Sequence, residues 1–309
     1  MADEEAIGVT PVRRAERGAV SVPLPGRSWA RRRAGLGYAL RVYLPLGLFV
    51  TFLLAPYYVM VITAFKPDSE LYSTAVSPLL VSRPTLIHFG ELFQKTAFFL
   101  WAQNSFVVAT VSTGLALLLG VPGGYAMARL RFRGSGLIGL AIFATYLVPG
   151  TLLFIPMHQI VNALGLLDTP FALIVVYPTF LTPFCAWLMA GYFKTIPGEL
   201  EDCARIDGCS RFGAMCRITI PLATPGILSC AIFSFTGAWN EFLYALVLVT
   251  SGSLKTLPVG IVATLLNTDA YPWGKLMAGA LLASIPVAVV YSFFVEHYAA
   301  GLTSGAIKG

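Results

Sequence analysis

The side chains able to do chemistry are few, and their placement tells more than their number. Glu241 stands beside Trp239 and Asn240 deep in an apolar run. An acid in such a place marks either a transport pathway or a break in a helix, satisfied by the freed backbone or by Asn240. The residues weigh equally for the two readings. A second group of acids (Glu199, Glu201, Asp202 and Asp207) shares the polar stretch 195–226 with Arg205, Arg211 and Arg217. His88, His158 and His297 are scattered without ligand spacing, and no nucleophile is grouped with a base. The five cysteines (Cys185, Cys203, Cys209, Cys216 and Cys230) form no Cys-x-x-Cys pair, so space-filling thiols are expected rather than a metal site or a disulfide. No phosphate-cradling glycine loop is present, which argues against nucleotide hydrolysis by the chain itself. Catalysis has no candidate here; transport and docking do.

The stretch 195–226 reads TIPGELEDCARIDGCSRFGAMCRITIPLATPG. Its order predicts two short helices with a bend. Thr195 can cap the first, Pro197 suits its opening turn, and Glu199, Glu201 and Asp202 complement the positive end of its dipole. Asp207-Gly208 is a stop, because glycine takes the left-handed conformation that ends a helix without strain. Ser210 can cap a second helix, in which Phe212, Met215 and Ile218 share a stripe. Pro221 and Pro225 close the segment.

The elements that hold these groups must lie in a bilayer. A chain of 309 residues, 57% hydrophobic, 12% charged and with mean hydropathy +0.75 is too apolar for a soluble globule. The net charge of +6 resides at loop ends, without the aromatic-interleaved patch of a nucleic-acid binder. Residues 1–37 read as a basic, disordered tail with seven arginines. Six apolar runs follow: Val42–Phe65, Asn104–Ala128, Gly136–Met157, Phe171–Phe193, Gly226–Thr250 and Leu276–Tyr298. The first is too long for a signal-peptide core and lacks a cleavage site, so it is expected to remain as an anchor. The fold class is therefore all-α and polytopic, with about six transmembrane helices. Prolines inside the runs (Pro122, Pro149, Pro178, Pro183 and Pro286) are tolerable where neighbours satisfy the freed carbonyls. Gly120 and Gly124 make a small-xxx-small pair, expected to pack within the bundle rather than against another subunit. With the N-terminus inside, sixteen Lys and Arg fall on the cytoplasmic side, among them Arg129, Arg131 and Arg133, against five outside. The positive-inside rule then puts both termini and 195–226 in the cytoplasm. The expected organisation is a tail (1–37), a first span with an external loop (38–97), a core of five spans (98–298) and a cytoplasmic end (299–309).

Counting from Asp202 gives Ala204, then Gly208, then nine residues, then Ile218-Thr219-Ile220-Pro221. This resembles the EAA loop of ABC importer permeases, and its flanks resemble the maltose-type sugar permeases of the bacterial inner membrane. Asp202 stands where that pattern has Glu, Cys203 where it has Ala, and Ile220 where it has Leu. Supporting stretches are Gly123–Arg129, Ala238–Phe242 and Gly301–Gly309, so the likeness runs from about Asn104 to the end of the chain. It implies a type I ABC importer transmembrane domain whose loop docks on a separate ATPase through Glu201, Asp202, Ala204, Asp207, Gly208, Ile218 and Pro221. Asp202 would face the ATPase, with Glu201 as the alternative carboxylate. It further implies a second permease, usually in a heterodimer, two ATP-binding subunits, an extracytoplasmic sugar-binding protein and a sugar substrate, within membrane lipid. No cofactor would be bound by this chain, ATP and Mg being used by the partner. The loop 251–274 would reach toward the binding protein, and Trp239, Asn240 and Glu241 are the candidate pathway residues.

Three functions are open to such a chain: an importer permease, an ion-coupled carrier using Glu241, and an intramembrane enzyme. A carrier commonly shows repeated halves and paired broken helices, and no internal repeat is evident. No catalytic pair offers itself for the enzyme. The importer alone accounts for 195–226.

Overall fold

The computed structural model of the protein describes residues 27–74, 77–130, 134–265 and 271–306. All regular structure among them is helical, in the order α1 (Arg27–Phe65), α2 (Asp68–Leu71), α3 (Ile87–Lys95), α4 (Phe98–Arg129), α5 (Ser135–Leu147), α6 (Gly150–Ala163) and α7 (Pro170–Phe193). Then come α8 (Glu199–Ile206), α9 (Arg211–Ala214), a π-helical turn (Met215–Thr219), α10 (Ile220–Leu222), α11 (Thr224–Asn240), α12 (Leu243–Leu248), α13 (Leu257–Leu265) and α14 (Trp273–Ala306). The chain divides into residues 1–56, of which 27–56 belong to α1, and residues 57–309, which hold every other element.

Among the described residues, four helices are long and apolar enough to cross a membrane singly: Leu40–Phe65, Phe98–Arg129, Pro170–Phe193 and Trp273–Phe293. The other two runs are broken. The third splits where Val148, preceding a proline and held extended (φ −72°, ψ 120°), hands over to Pro149 at the start of α6. The fifth splits at Glu241, extended at φ −65° and ψ 129°. Pro122, Pro178, Pro183 and Pro286 by contrast stay inside continuous helices. Two boundaries also move. α1 begins at Arg27 rather than after 37, because Ala and Arg in SWARRRA favour a helix that continues the span upstream. α14 passes Tyr298 and continues to Ala306. Residues 1–26, Arg131, Arg133 and 307–309 lie outside the described residues, as do the side chains of Glu296 and His297.

The core of residues 57–309 is the seam between α4 and α7. A Cβ on Gly120 would sit 2.5 Å from Cys185 Cβ, and one on Gly124 would sit 2.7 Å from Met189 Cβ and 2.8 Å from the Ala186 carbonyl. The two glycines therefore let α4 reach the backbone of α7 within the same chain, the role expected of them. Around this seam Leu173, Tyr177, Met189 and Phe193 are fully buried.

At the N-terminal end of α4, side chains pin the neighbouring loop. Trp101 Nε1 donates to the Gly252 carbonyl at 2.7 Å, Asn104 Nδ2 to Ser253 and Lys255 carbonyls, and Ser105 Oγ accepts from Leu257 N–H at 2.7 Å. Asp168 Oδ1 accepts from the N–H groups of Thr250 and Ser251, which holds the preceding turn. α3 is tied to the start of α14 by Glu91, which pairs with Lys275 and Lys95.

Lys275 and then Lys95 hold the Glu91 carboxyl down to about 2. Its folded value lies below the unfolded one, so this contribution is present above the ordinary value of 4.5 and disappears as pH falls through about 2. Lys275→Met should accelerate hydrogen exchange in α3 at neutral pH. The difference from the parent should shrink below the ordinary carboxylate range and vanish in strong acid. Equal exchange at neutral pH would show that the pair does not hold α3.

Candidate functional site

The segment between α7 and α11 is a helical hairpin built by local chemistry. α8 ends in a Schellman pattern: Cys209 N–H reaches the Ala204 carbonyl at 3.0 Å, Gly208 N–H reaches that of Arg205 at 3.1 Å, and Gly208 adopts φ +89°. Ser210 Oγ then accepts from Gly213 N–H at 3.1 Å and caps α9. Both features match the sequence expectation. Thr195 does not cap α8; its hydroxyl donates back to Tyr192 O, and α8 opens at Glu199 behind Gly198, which offers no side-chain cap. The stripe of Phe212, Met215 and Ile218 is not a single face either. Met215 is buried, Ile218, inside the π-helical turn, is half-buried, and Phe212 is 72% exposed. The hairpin then bends by 75° at Ala223 into α11.

The acids of α8 part company. Asp202 is exposed and pairs with Arg205 at 3.2 Å. Glu201, one residue earlier, is 7% exposed and turned into its own chain. Its Oε1 accepts from Arg129 Nε at 2.9 Å and Thr219 Oγ1 at 2.8 Å, and its Oε2 from Tyr125 Oη at 2.8 Å. Arg129 Nη2 also donates to the Ile196 carbonyl at 2.6 Å. Ala204 is buried beneath the hairpin, Asp207 and Pro221 are exposed, and Ile218 lies between. On the outer surface Ile206 is 85% exposed and, with Phe212, flanks the Gly208 bend. Sequence reasoning missed Tyr125, Arg129 and Thr219. The signal available was Tyr125 and Arg129 four residues apart, hence on one face of a helix that ends beside the segment.

The candidate pathway residues separate as well. Trp239 is buried, donates through Nε1 to Ala283 O at 3.1 Å and stacks on Phe235. Asn240 Nδ2 donates to Thr236 O, one turn back in its own helix. Glu241 alone borders a cavity of about 790 Å³, together with Thr145, Thr179, Phe180, Phe184 and Tyr244. Its Oε1 accepts from Tyr244 N–H at 2.8 Å, and its Oε2 from Ala245 N–H at 3.0 Å and Tyr177 Oη at 2.8 Å. The carboxylate thus caps α12 where the fifth run breaks, and Asn240 is not its partner. Tyr244 stacks on Phe180 and donates to Gly150 O, fixing α12 to the start of α6. Among the described residues no cluster of His, Cys, Asp or Glu could hold a metal.

A polytopic helical chain carrying this hairpin is the membrane subunit of an ABC importer, and the EAA spacing is the feature that marks it. The chain belongs to the family described as binding-protein-dependent transport system inner membrane component, which matches residues 120–304. It is 39% identical over 269 residues to the inner membrane ABC transporter permease protein YcjP of Escherichia coli, spanning 86% of this chain and 95% of that one. The sulfoquinovosyl glycerol transport system permease protein SmoH of Agrobacterium fabrum is 37% identical, over 80% of this chain and 86% of its own. In fold it matches a bacterial ABC transporter involved in import of the acidic polysaccharide alginate, with a TM-score of 0.71 at 23% identity, covering 89% of this chain and 100% of that one. The protein is a multi-pass, non-catalytic permease of the inner membrane, and the carrier and enzyme readings fall away.

Proposed function

We propose that this permease passes a carbohydrate into the cytoplasm and takes its energy from a separate ATPase that docks on the 195–226 hairpin. The observation that carries the reading is the outer face of that hairpin. Ile206 and Phe212 are exposed on either side of the Gly208 bend, ringed by Asp202, Arg205, Asp207 and Arg211, all exposed. Large apolar side chains set in a charged rim are the composition of a protein contact. Asp202 is the carboxylate that such a partner meets, since Glu201 is occupied within the chain. The remaining partners of this reading are a second permease, two ATP-binding subunits that use ATP and Mg, and an extracytoplasmic sugar-binding protein. The carbohydrate class follows relatives such as SmoH. Closure of the ATP-binding subunits shifts the population between inward- and outward-facing states, because each state offers them different contacts.

The test is topological and biochemical together. In a background lacking the native cysteines, Ser210→Cys should resist an impermeant thiol reagent in intact cells, while Gly252→Cys should react. An affinity-tagged chain should retain an ATP-binding subunit, and Phe212→Asp should release it. The reverse labelling pattern would place the hairpin outside and end the docking idea. Retention unaffected by Phe212→Asp would remove the proposed face.

A further inference from the structure

The hairpin is joined to the bundle covalently at two places. Residues 194–198 link it to α7 without regular helix, and the bend at Ala223 links it to α11. The firm connection is through side chains to α4. There, one buried carboxylate gathers donors from α4 and from the π-helical turn, and Arg129 adds the linker carbonyl of Ile196. Hydrogen bonds of this kind, charge-assisted and shielded from water, hold their geometry far better than exposed pairs. α4 then runs for 32 residues, about 48 Å at 1.5 Å per residue. Its opposite end is bonded to the loop at 252–257 by Trp101, Asn104 and Ser105. Along its middle the Gly120 and Gly124 contacts bring it onto the α7 backbone.

We propose that α4 is a strut joining the ATPase-docking hairpin to the loop at 252–257. Glu201 and Arg129 are the positioning residues of its lower joint, and Trp101, Asn104 and Ser105 those of its upper joint. Movement imposed on α8 reaches the far loop through the Glu201 carboxylate and along α4. The proposal rests on the reading that an ATPase docks on the hairpin.

The experiment uses the assembled complex, purified through this chain from its native membranes, with Mg-ATP as the probe. Ser253 is exposed beside the upper joint. In a background lacking the native cysteines, the rate at which Ser253→Cys reacts with a thiol reagent is measured with and without Mg-ATP. ATP should change that rate by about tenfold, the range of an ordinary coupling free energy. Glu201→Gln and Tyr125→Phe should each remove most of the change while the ATP-binding subunit still co-purifies. Tyr125→Phe deletes a single hydroxyl, so it serves where the change at Glu201 prevents folding. An ATP response that survives both substitutions overturns the strut, as does a parent with no ATP response. Loss of the ATP-binding subunit in both variants overturns it too, since the joint would then be a docking element. A parent chain that never retains an ATP-binding subunit counts instead against the proposed function.

Discussion

Gly208→Val should abolish uptake while leaving the protein in the membrane. Gly208 sits at φ +89°, and a Cβ built on it meets nothing within 4 Å. The penalty is therefore conformational rather than a clash. A β-branched residue in the left-handed region is an outlier, and the region costs ordinary residues about 1–2 kcal/mol. That sum is small for a membrane bundle, so the chain still inserts. It is large for a local turn held by two capping bonds, from Gly208 and Cys209 N–H to the Arg205 and Ala204 carbonyls. If the turn relaxes, Ile206 and Phe212 no longer present themselves together, and a partner built for both meets one. Gly208→Ala, which keeps the strain but is not β-branched, should retain part of the uptake. The measurements are uptake of the substrate and ATPase activity in the reconstituted complex. Wild-type values of both for the valine variant would show that the bend does not couple the two.

Much of the hairpin was legible because its signals are local. A glycine that must be left-handed and a serine three residues before the N–H it caps act within one turn of chain, and both appear where the sequence places them. The apolar runs were legible for the same reason, since hydropathy accumulates along a segment. The breaks were not. Pro149 interrupts its run and Pro122 does not, although neither residue differs in chemistry. Pro122 is exposed on a continuous α4, whereas Pro149 lines a cavity and stands at the start of α6. The direction of Glu201 was equally out of reach. Adjacent positions on a helix differ by about 100°, so a motif fixes that one acid faces outward without fixing which. The donors that decide it lie 72 and 76 residues earlier in the chain, at Arg129 and Tyr125. The π-helical turn has no sequence signature either, yet it carries Thr219, one of the donors to Glu201.

Glu241→Leu should be far more damaging than Glu241→Gln, and the comparison separates a cap from a charge. The carboxylate satisfies three donors, the N–H groups of Tyr244 and Ala245 and the hydroxyl of the fully buried Tyr177. Leucine has nearly the same volume but accepts nothing. Each orphaned donor costs about 1–3 kcal/mol, and three of them rival the roughly 5–15 kcal/mol that keeps a protein folded. The leucine variant should therefore show a sharply lowered thermal midpoint or vanish from the membrane. Glutamine keeps one acceptor oxygen for Tyr244 N–H and its amide can donate to the Tyr177 oxygen, so Ala245 N–H alone of the three donors loses its partner. It should fold, preserve the seat of Tyr244 on Phe180, and retain most uptake. That uptake should depend on ATP and persist when an uncoupler collapses the gradients at fixed ATP. If the leucine variant is as stable as the glutamine one, the cap is dispensable and the break in the fifth run has another cause. If the glutamine variant folds but transports nothing, the negative charge itself is needed at the cavity wall, and Glu241 belongs to the pathway as well as to the helix it caps.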